Sequence, residues 1–166
     1  NDIRFGSYLI GDNHPPFVIA ELSGNHNGSI EKAKKIISVS SEAGAHAVKF
    51  QTYTAETMTL DLDIPGFVID DPQSLWHRRS LYDLYEEAHT PWEWHEELFS
   101  YARSLGLIPL STPFDETAVD FLETLDCEIY KVASFENTDY DLIEKVISTG
   151  KPILISTGMM SVSELE

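Results

Sequence analysis

Lys49 and Lys131 are the two residues of this 166-residue sequence whose placement most demands a chemical reason. Each lies within a short apolar run, residues 47–51 and 128–132, that reads as a β-strand covered on both faces. An ammonium group taken out of water is costly unless it meets an anion, and the other apolar runs of this kind carry no basic residue. Two such groups aimed at one point would suit a phosphate or carboxylate ligand. The plainer alternative is a structural ion pair with Glu21 or Glu136, since structural pairs occupy the same kind of position. Strand alternation puts Lys49 and Gln51 on one face and Phe50 on the other, so in a closed barrel the lysine and glutamine share the lumen.

The residues that end the apolar runs are polar as well: Glu21, Gln51, Ser111-Thr112, Ser134 and Glu136 just past Lys131, and Ser156-Thr157. Thr112, Ser134 and Ser156 offer hydroxyls to phosphate oxygens, and Gly158 allows close backbone approach. A lone serine at a strand end is commonly a cap or turn residue; repetition on successive runs carries the functional reading. The loop SGNHNG (23–28) reads either as an active-site loop or as a polar turn. The six histidines show neither an HExxH pattern nor a paired spacing, so no metal site is assigned within the chain. His95, among Glu93, Glu96 and Glu97, is expected on a solvated helix surface, and His46 in packing or backbone bonding. Cys127, the single cysteine, is expected to be a small buried hydrophobe and cannot form an intrachain disulfide.

These residues need a scaffold, and the pattern supplies one. Five parallel strands are expected at 17–21, 47–51, 107–111, 128–132 and 152–156, alternating with helix-period segments as in βα units. The helical stripes are Ala33/Ile36/Ile37/Ser40, Trp94/Leu98/Tyr101/Leu105, Ala118/Phe121/Leu122/Leu125 and Leu142/Ile143/Val146/Ile147. Ser29 can cap the first helix, Thr90-Pro91-Trp92-Glu93 reads as a capping box, and Gly44, Gly106 and Gly150 sit where helices must end. Residues 3–11 alternate around Gly6-Ser7 as a hairpin that could plug the bottom of a barrel. Residues 52–89 form an irregular excursion with a short helix near 80–87. Ser161-Val162-Ser163-Glu164 opens a fifth helix just before the sequence stops at Glu166. The expected fold class is therefore α/β, the N-terminal part of a (β/α)8 TIM barrel with a preceding hairpin, with residues 1–166 forming roughly its first half. In such a barrel, function sits at the C-terminal strand ends, where the polar residues fall.

Composition narrows the function classes. With 11 Lys+Arg against 28 Asp+Glu the formal net charge is −17, which disfavours nucleic-acid or anionic-membrane binding through a basic face. A hydrophobic fraction of 42% is enough to bury a core. There is neither a charged-then-apolar leader nor an uncharged apolar run of bilayer-crossing length, so a reducing cytoplasm is the expected compartment.

The segments FVIAELSGNHNG (17–28), AGAHAVKFQTYT (43–54), SLYDLYEEAHTPWEWH (80–95), STPFDETA (111–118), YKVASFENTD (130–139) and GKPILISTGM (150–159) together resemble the sialic acid synthases, and within them the pseudaminic branch. The resemblance spans nearly the whole chain. It implies a TIM-barrel synthase that condenses phosphoenolpyruvate with an open-chain amino sugar, releasing phosphate and making a nine-carbon 2-keto acid. By position, Lys49, Thr112, Lys131, Ser134 and Ser156 would hold phosphoenolpyruvate, Gln51 and Glu136 would contact the sugar, and Glu21 would stand beside the reacting carbons as an acid/base or water-orienting carboxylate. It further implies a divalent metal, manganese or magnesium, held by histidines of later strands, a C-terminal antifreeze-like domain, and a homodimer for the full-length protein; the metal ligands and that domain lie outside this sequence. Two other readings stand beside it: a barrel aldolase using Lys49 or Lys131 as a Schiff base, and a non-catalytic half-barrel that associates through its open edges.

Overall fold

The computed structural model describes residues 2–165. Strands β1 (Ile3–Phe5) and β2 (Tyr8–Ile10) pair antiparallel, with Gly6 at φ +55° turning the chain between them. The main sheet has five strands, β3 (Ile19–Glu21), β4 (Ala47–Thr52), β5 (Ile108–Pro113), β6 (Tyr130–Val132) and β7 (Ile153–Ile155), all parallel and adjacent in chain order. They curl into a half-barrel. Helix α1 (Ile30–Glu42) links β3 to β4, α4 (Trp92–Ser104) precedes β5, α5 (Glu116–Thr124) precedes β6, and α6 (Tyr140–Ser148) precedes β7. A final short helix, α7, spans Val162–Leu165.

The βα units are marked by local chemistry. Ser29, Asp115 and Asp139 each cap the following helix by accepting backbone N–H bonds, from Lys32, from Thr117 and Ala118, and from Leu142. Gly44, Gly106 and Gly150 follow α1, α4 and α6 with φ of +86°, +78° and +69°, the left-handed turn that returns the chain to the sheet. The capping box expected at Thr90–Glu93 does not form: α4 begins after Pro91, without a side-chain cap, because the Thr90 hydroxyl bonds His26 instead. The expected strands are present but mostly shorter, three residues each for β3, β6 and β7. The 52–89 excursion holds two helices rather than one, α2 (Ala55–Met58) and α3 (Leu81–Ala88).

Two cores flank the sheet. The larger lies under the helices and includes Leu22, Ile37, Phe50, Leu98, Phe99, Leu122 and Tyr130. The smaller fills the inside of the curl with Ala47, Ile108, Leu110 and Ile129, and Phe5 from the hairpin closes it from below. Phe17 makes edge contacts with Phe5 and Tyr8 and stacks on His46, whose Nδ1 accepts the Val18 N–H at 2.9 Å. Among the described residues, no helix is long and apolar enough to cross a membrane.

Candidate functional site

Register decides which polar side chains meet. Glu21 stands opposite Lys49, Lys49 opposite Leu110, and Gln51 opposite Thr112. Register partners share a face of a sheet, and Leu110 belongs to the inner core, so Lys49, Gln51 and Thr112 face the inside of the curl. Ser111 pairs with Tyr130, so Lys131 falls level with Thr112 one step further along. Glu21, Lys49, Gln51, Thr112 and Lys131 thus line one wall, stacked above the apolar plug at the C-terminal end of the strands.

The two lysines differ. Lys49 Nζ lies 2.9 and 2.7 Å from the two Glu21 carboxylate oxygens, and the Ser23 hydroxyl donates to the same carboxylate at 2.7 Å. The structural ion pair weighed from sequence is therefore formed at Lys49. Lys131 Nζ instead donates to Ser156 Oγ at 2.6 Å and to the Val132 carbonyl at 2.8 Å, and among the described residues no carboxylate pairs with it. Burial lowers the Lys131 pKa, and the Lys49 charge lowers it further, against an opposing pull from Glu21 and Glu136. That mutual influence places both ammonium groups in one electrostatic neighbourhood.

Past β6 the chain turns through Ser134 and Glu136 before Asp139 opens α6. Ser134 is half-buried beside Gly158, where an added Cβ would lie 3.6 Å from the Ser134 Cβ. Burial raises the Glu136 pKa, and its Oε2 is buried without a hydrogen-bond partner. Asn137 ties this turn to β7 by donating to the Ser156 carbonyl at 3.1 Å, and its Oδ1 is likewise unpartnered. Buried polar atoms of this kind are rare unless something else meets them. Sequence reasoning passed over Asn137, whose signal was its place two residues into a polar strand-end segment.

The opposite face of the same strand ends is locked. Thr52 Oγ1 lies 2.7 Å from Ser111 Oγ and 3.0 Å from His95 Nε2, while His95 Nδ1 lies 3.1 Å from the Pro91 carbonyl. His95 is fully buried, which corrects the solvated surface expected from its acidic neighbours: those glutamates point outward and the histidine packs between Phe50, Phe99 and Phe121. Burial lowers its pKa to about 4, so the ring is neutral. His26 is also buried; its Nδ1 accepts the Gly28 N–H at 3.1 Å and its Nε2 meets Thr90 Oγ1 at 3.1 Å. The SGNHNG loop is thereby pinned to the start of α4. Cys127 is buried as expected, and burial pushes its thiol up to about 11.

A cavity of about 630 Å³ opens between this loop, the ends of β4 and β5, and the excursion. Gln51, Tyr53, Trp76, Leu84, Tyr85 and Phe114 are among its walls. Tyr53 makes edge contacts with Tyr85 and Phe114 at 5.8 and 5.3 Å. Tyr53 and Phe114 each directly follow a strand, β4 and β5, a rim position that sequence reasoning inspected only for polar groups. Within the excursion, Trp76 lines the cavity, whereas Arg79 pairs with Glu87 at 2.7 Å and the Tyr82 hydroxyl donates to Glu56 at 2.7 Å. No group of three or more His, Cys, Asp or Glu among the described residues is placed to hold a metal ion.

Comparison with known proteins adds an independent line. Residues 36–166 match the NeuB family. The chain is 47% identical over 152 residues to a pseudaminic acid synthase of Helicobacter pylori, covering 92% of this chain and 44% of that protein. It is 32% identical over 161 residues to the N-acetylneuraminate-9-phosphate synthase of Mus musculus, covering 95% of this chain and 43% of that protein. Among solved structures, the N-acetylneuraminic acid synthetase of Leptospira borgpetersenii, in complex with citrate, superposes with a TM-score of 0.84 at 27% identity, over 99% of this chain and 52% of that one. The chain thus spans less than half the length of these curated relatives.

Proposed function

The chain belongs to the NeuB family, and from that premise we propose that the full-length protein condenses phosphoenolpyruvate with an open-chain amino sugar to give a sialic-type nonulosonic acid, in the pseudaminic branch. The pseudaminic acid synthase relatives support the branch. One carbon–carbon bond forms, one water is consumed and phosphate leaves. The observation that carries the reading is Lys131, a half-buried ammonium without a carboxylate partner among the described residues, in the electrostatic neighbourhood of Lys49 and bonded to the Ser156 hydroxyl. Two cations and the hydroxyls of Thr112, Ser134 and Ser156 form a cradle of the right chemistry for a phosphate-bearing carboxylate.

In this proposal Lys131 and Lys49 fix the phosphate and carboxylate, so that the enol carbon is presented to the aldehyde at near-attack distance. Gln51 and Glu136 contact the sugar, and burial raises the Glu136 pKa, which favours the protonated form that donates a hydrogen bond. Glu21, held by Lys49 and Ser23, orients water or moves a proton at the reacting carbons. The proposal includes a divalent cation, manganese or magnesium, in the full-length protein. The described residues do not form a site for it, and nothing above is routed through it.

Carbon-labelled phosphoenolpyruvate, incubated with the full-length protein, a divalent cation and a panel of aminohexoses, is expected to give labelled 2-keto acid and free phosphate in equal amounts; no product with any acceptor overturns the reading. Lys131→Met is expected to raise the phosphoenolpyruvate KM at least tenfold. A second reading has its own support: the lowered Lys131 pKa also suits a Schiff-base lysine. Borohydride inactivation that depends on substrate would favour that aldolase, whereas the condensation predicts none.

A further inference from the structure

Ser23 holds a backbone conformation that a serine rarely takes. Its φ is +44°, in the left-handed region where a side chain crowds the neighbouring carbonyl and glycine is the ordinary occupant. The turn around it is fixed at both ends. Fully buried Leu22 donates its N–H to the Lys49 carbonyl at 3.0 Å, and the Leu22 carbonyl accepts both the Asn25 N–H at 3.2 Å and the Asn25 side-chain amide at 3.0 Å. The chain cannot relax the Ser23 φ without giving up those bonds. Glycine stands at the next position, where packing needs it: a Cβ added to Gly24 would lie 3.0 Å from the Ala88 carbonyl oxygen. Glycine is thus placed where space demands it, and serine where the backbone would favour glycine. A residue kept in such a conformation points to a task for its side chain.

That side chain reaches Glu21. Ser23 Oγ donates to Glu21 Oε1 at 2.7 Å, the oxygen that Lys49 Nζ also reaches at 2.9 Å, while Lys49 closes on Oε2 at 2.7 Å. The Glu21 side chain is otherwise open, 45% exposed against 16% for Lys49. In the condensation Lys49 has two tasks, to hold Glu21 and to hold the substrate anion, and an ammonium has only three N–H donors to divide between them. An anion arriving at Lys49 therefore loosens its grip on the carboxylate. The Ser23 hydroxyl is engaged with Glu21 alone. We propose that Ser23 is a positioning residue, whose hydroxyl keeps the Glu21 carboxylate in one orientation once the substrate anion draws Lys49 away. The inference rests on the condensation proposed above and on Glu21 acting at the reacting carbons. Loss of that orientation slows the chemical step and leaves anion binding to the lysines.

The test compares Ser23→Gly and Ser23→Ala in the full-length protein. Both variants lack the hydroxyl, and they differ in their tolerance of positive φ. Both are expected to lower kcat by the same factor, about tenfold or more, the weight of a hydrogen bond to a charged group. The phosphoenolpyruvate KM is expected to stay within about twofold of wild type, since Lys49 and Lys131 remain. In urea, Ser23→Gly is expected to unfold at a higher concentration than Ser23→Ala, because only glycine takes this φ without strain. A serine with a purely structural role would instead tie activity to stability, leaving Ser23→Gly the more active of the two. That result, wild-type kcat in either variant, equal urea midpoints, or a phosphoenolpyruvate KM that climbs while kcat holds, overturns the inference while leaving the condensation standing. Absence of turnover by the wild-type protein with every acceptor overturns the condensation and the inference with it.

Discussion

His95 bears on stability through its protonation. Its folded pKa of about 4 lies below the ordinary 6.5 because burial disfavours the imidazolium. The unfolded chain therefore takes up a proton that the folded chain refuses, so this contribution is whole above pH 6.5 and is lost as the pH falls from 6.5 toward 4, amounting to about 3 kcal/mol in full. Urea unfolding of the wild type should show a midpoint that drops between pH 7 and 4.5, and His95→Gln should flatten that dependence while lowering stability at pH 7. A His95→Gln chain that keeps the full wild-type pH dependence would refute it. The lysines and strand-end hydroxyls were legible in the sequence because alternation alone assigns a side chain to a face. His95 was not, because its partner Thr52, itself bonded to Ser111 of the next strand, comes from β4 and not from its own helix, and three neighbouring glutamates suggested water. Nor could the sequence say which lysine takes Glu21 as its partner, since that follows from the register of β3 against β4.

Caps and plug do different work among the elements. The Asp139 carboxylate satisfies the Leu142 N–H at 3.1 Å at the start of α6, and the turn it closes carries Glu136 and Asn137. Asp139→Ala should cost about 1 kcal/mol in chemical denaturation, whereas Asp139→Asn should retain most of it. Phe5 is a larger matter: it is 3% exposed and seals the inner core from below. Phe5→Ala should cost about 3–5 kcal/mol, and a loss under about 1 kcal/mol would show that the hairpin is a loose appendage. The hairpin, the five strands and the four long helices were readable from period and caps. The Thr90 capping box was misread because a hydroxyl in the right position for a cap found a buried histidine 64 residues earlier, a competition invisible to local pattern. Helix α2 escaped notice because four residues are too few to show a period.

For the molecule as a whole, open edges and charge oppose each other. Strands β3 and β7 stand at the two ends of the five-strand order, each with a single neighbour among the described residues, and Val18 and Ile155 beside or on them are 48% and 46% exposed. Unpaired strand edges flanked by apolar side chains invite edge-to-edge pairing. The net charge of −17 holds copies apart, but only as far as the ionic atmosphere permits: the screening length falls from about 30 Å at 0.01 M salt to about 3 Å at 1 M. Edge pairing acts at contact and is far less sensitive to salt. The isolated 166-residue chain should therefore sediment largely as a monomer at low ionic strength and self-associate as salt is added, the opposite of an assembly held by surface ion pairs. Lys introduced at Val18 and Ile155 should suppress the association by placing like charges on both edges. A chain that stays monomeric at every salt concentration, or that dissociates as salt rises, would mean that the edges are already satisfied and that charge, not pairing, governs its assembly.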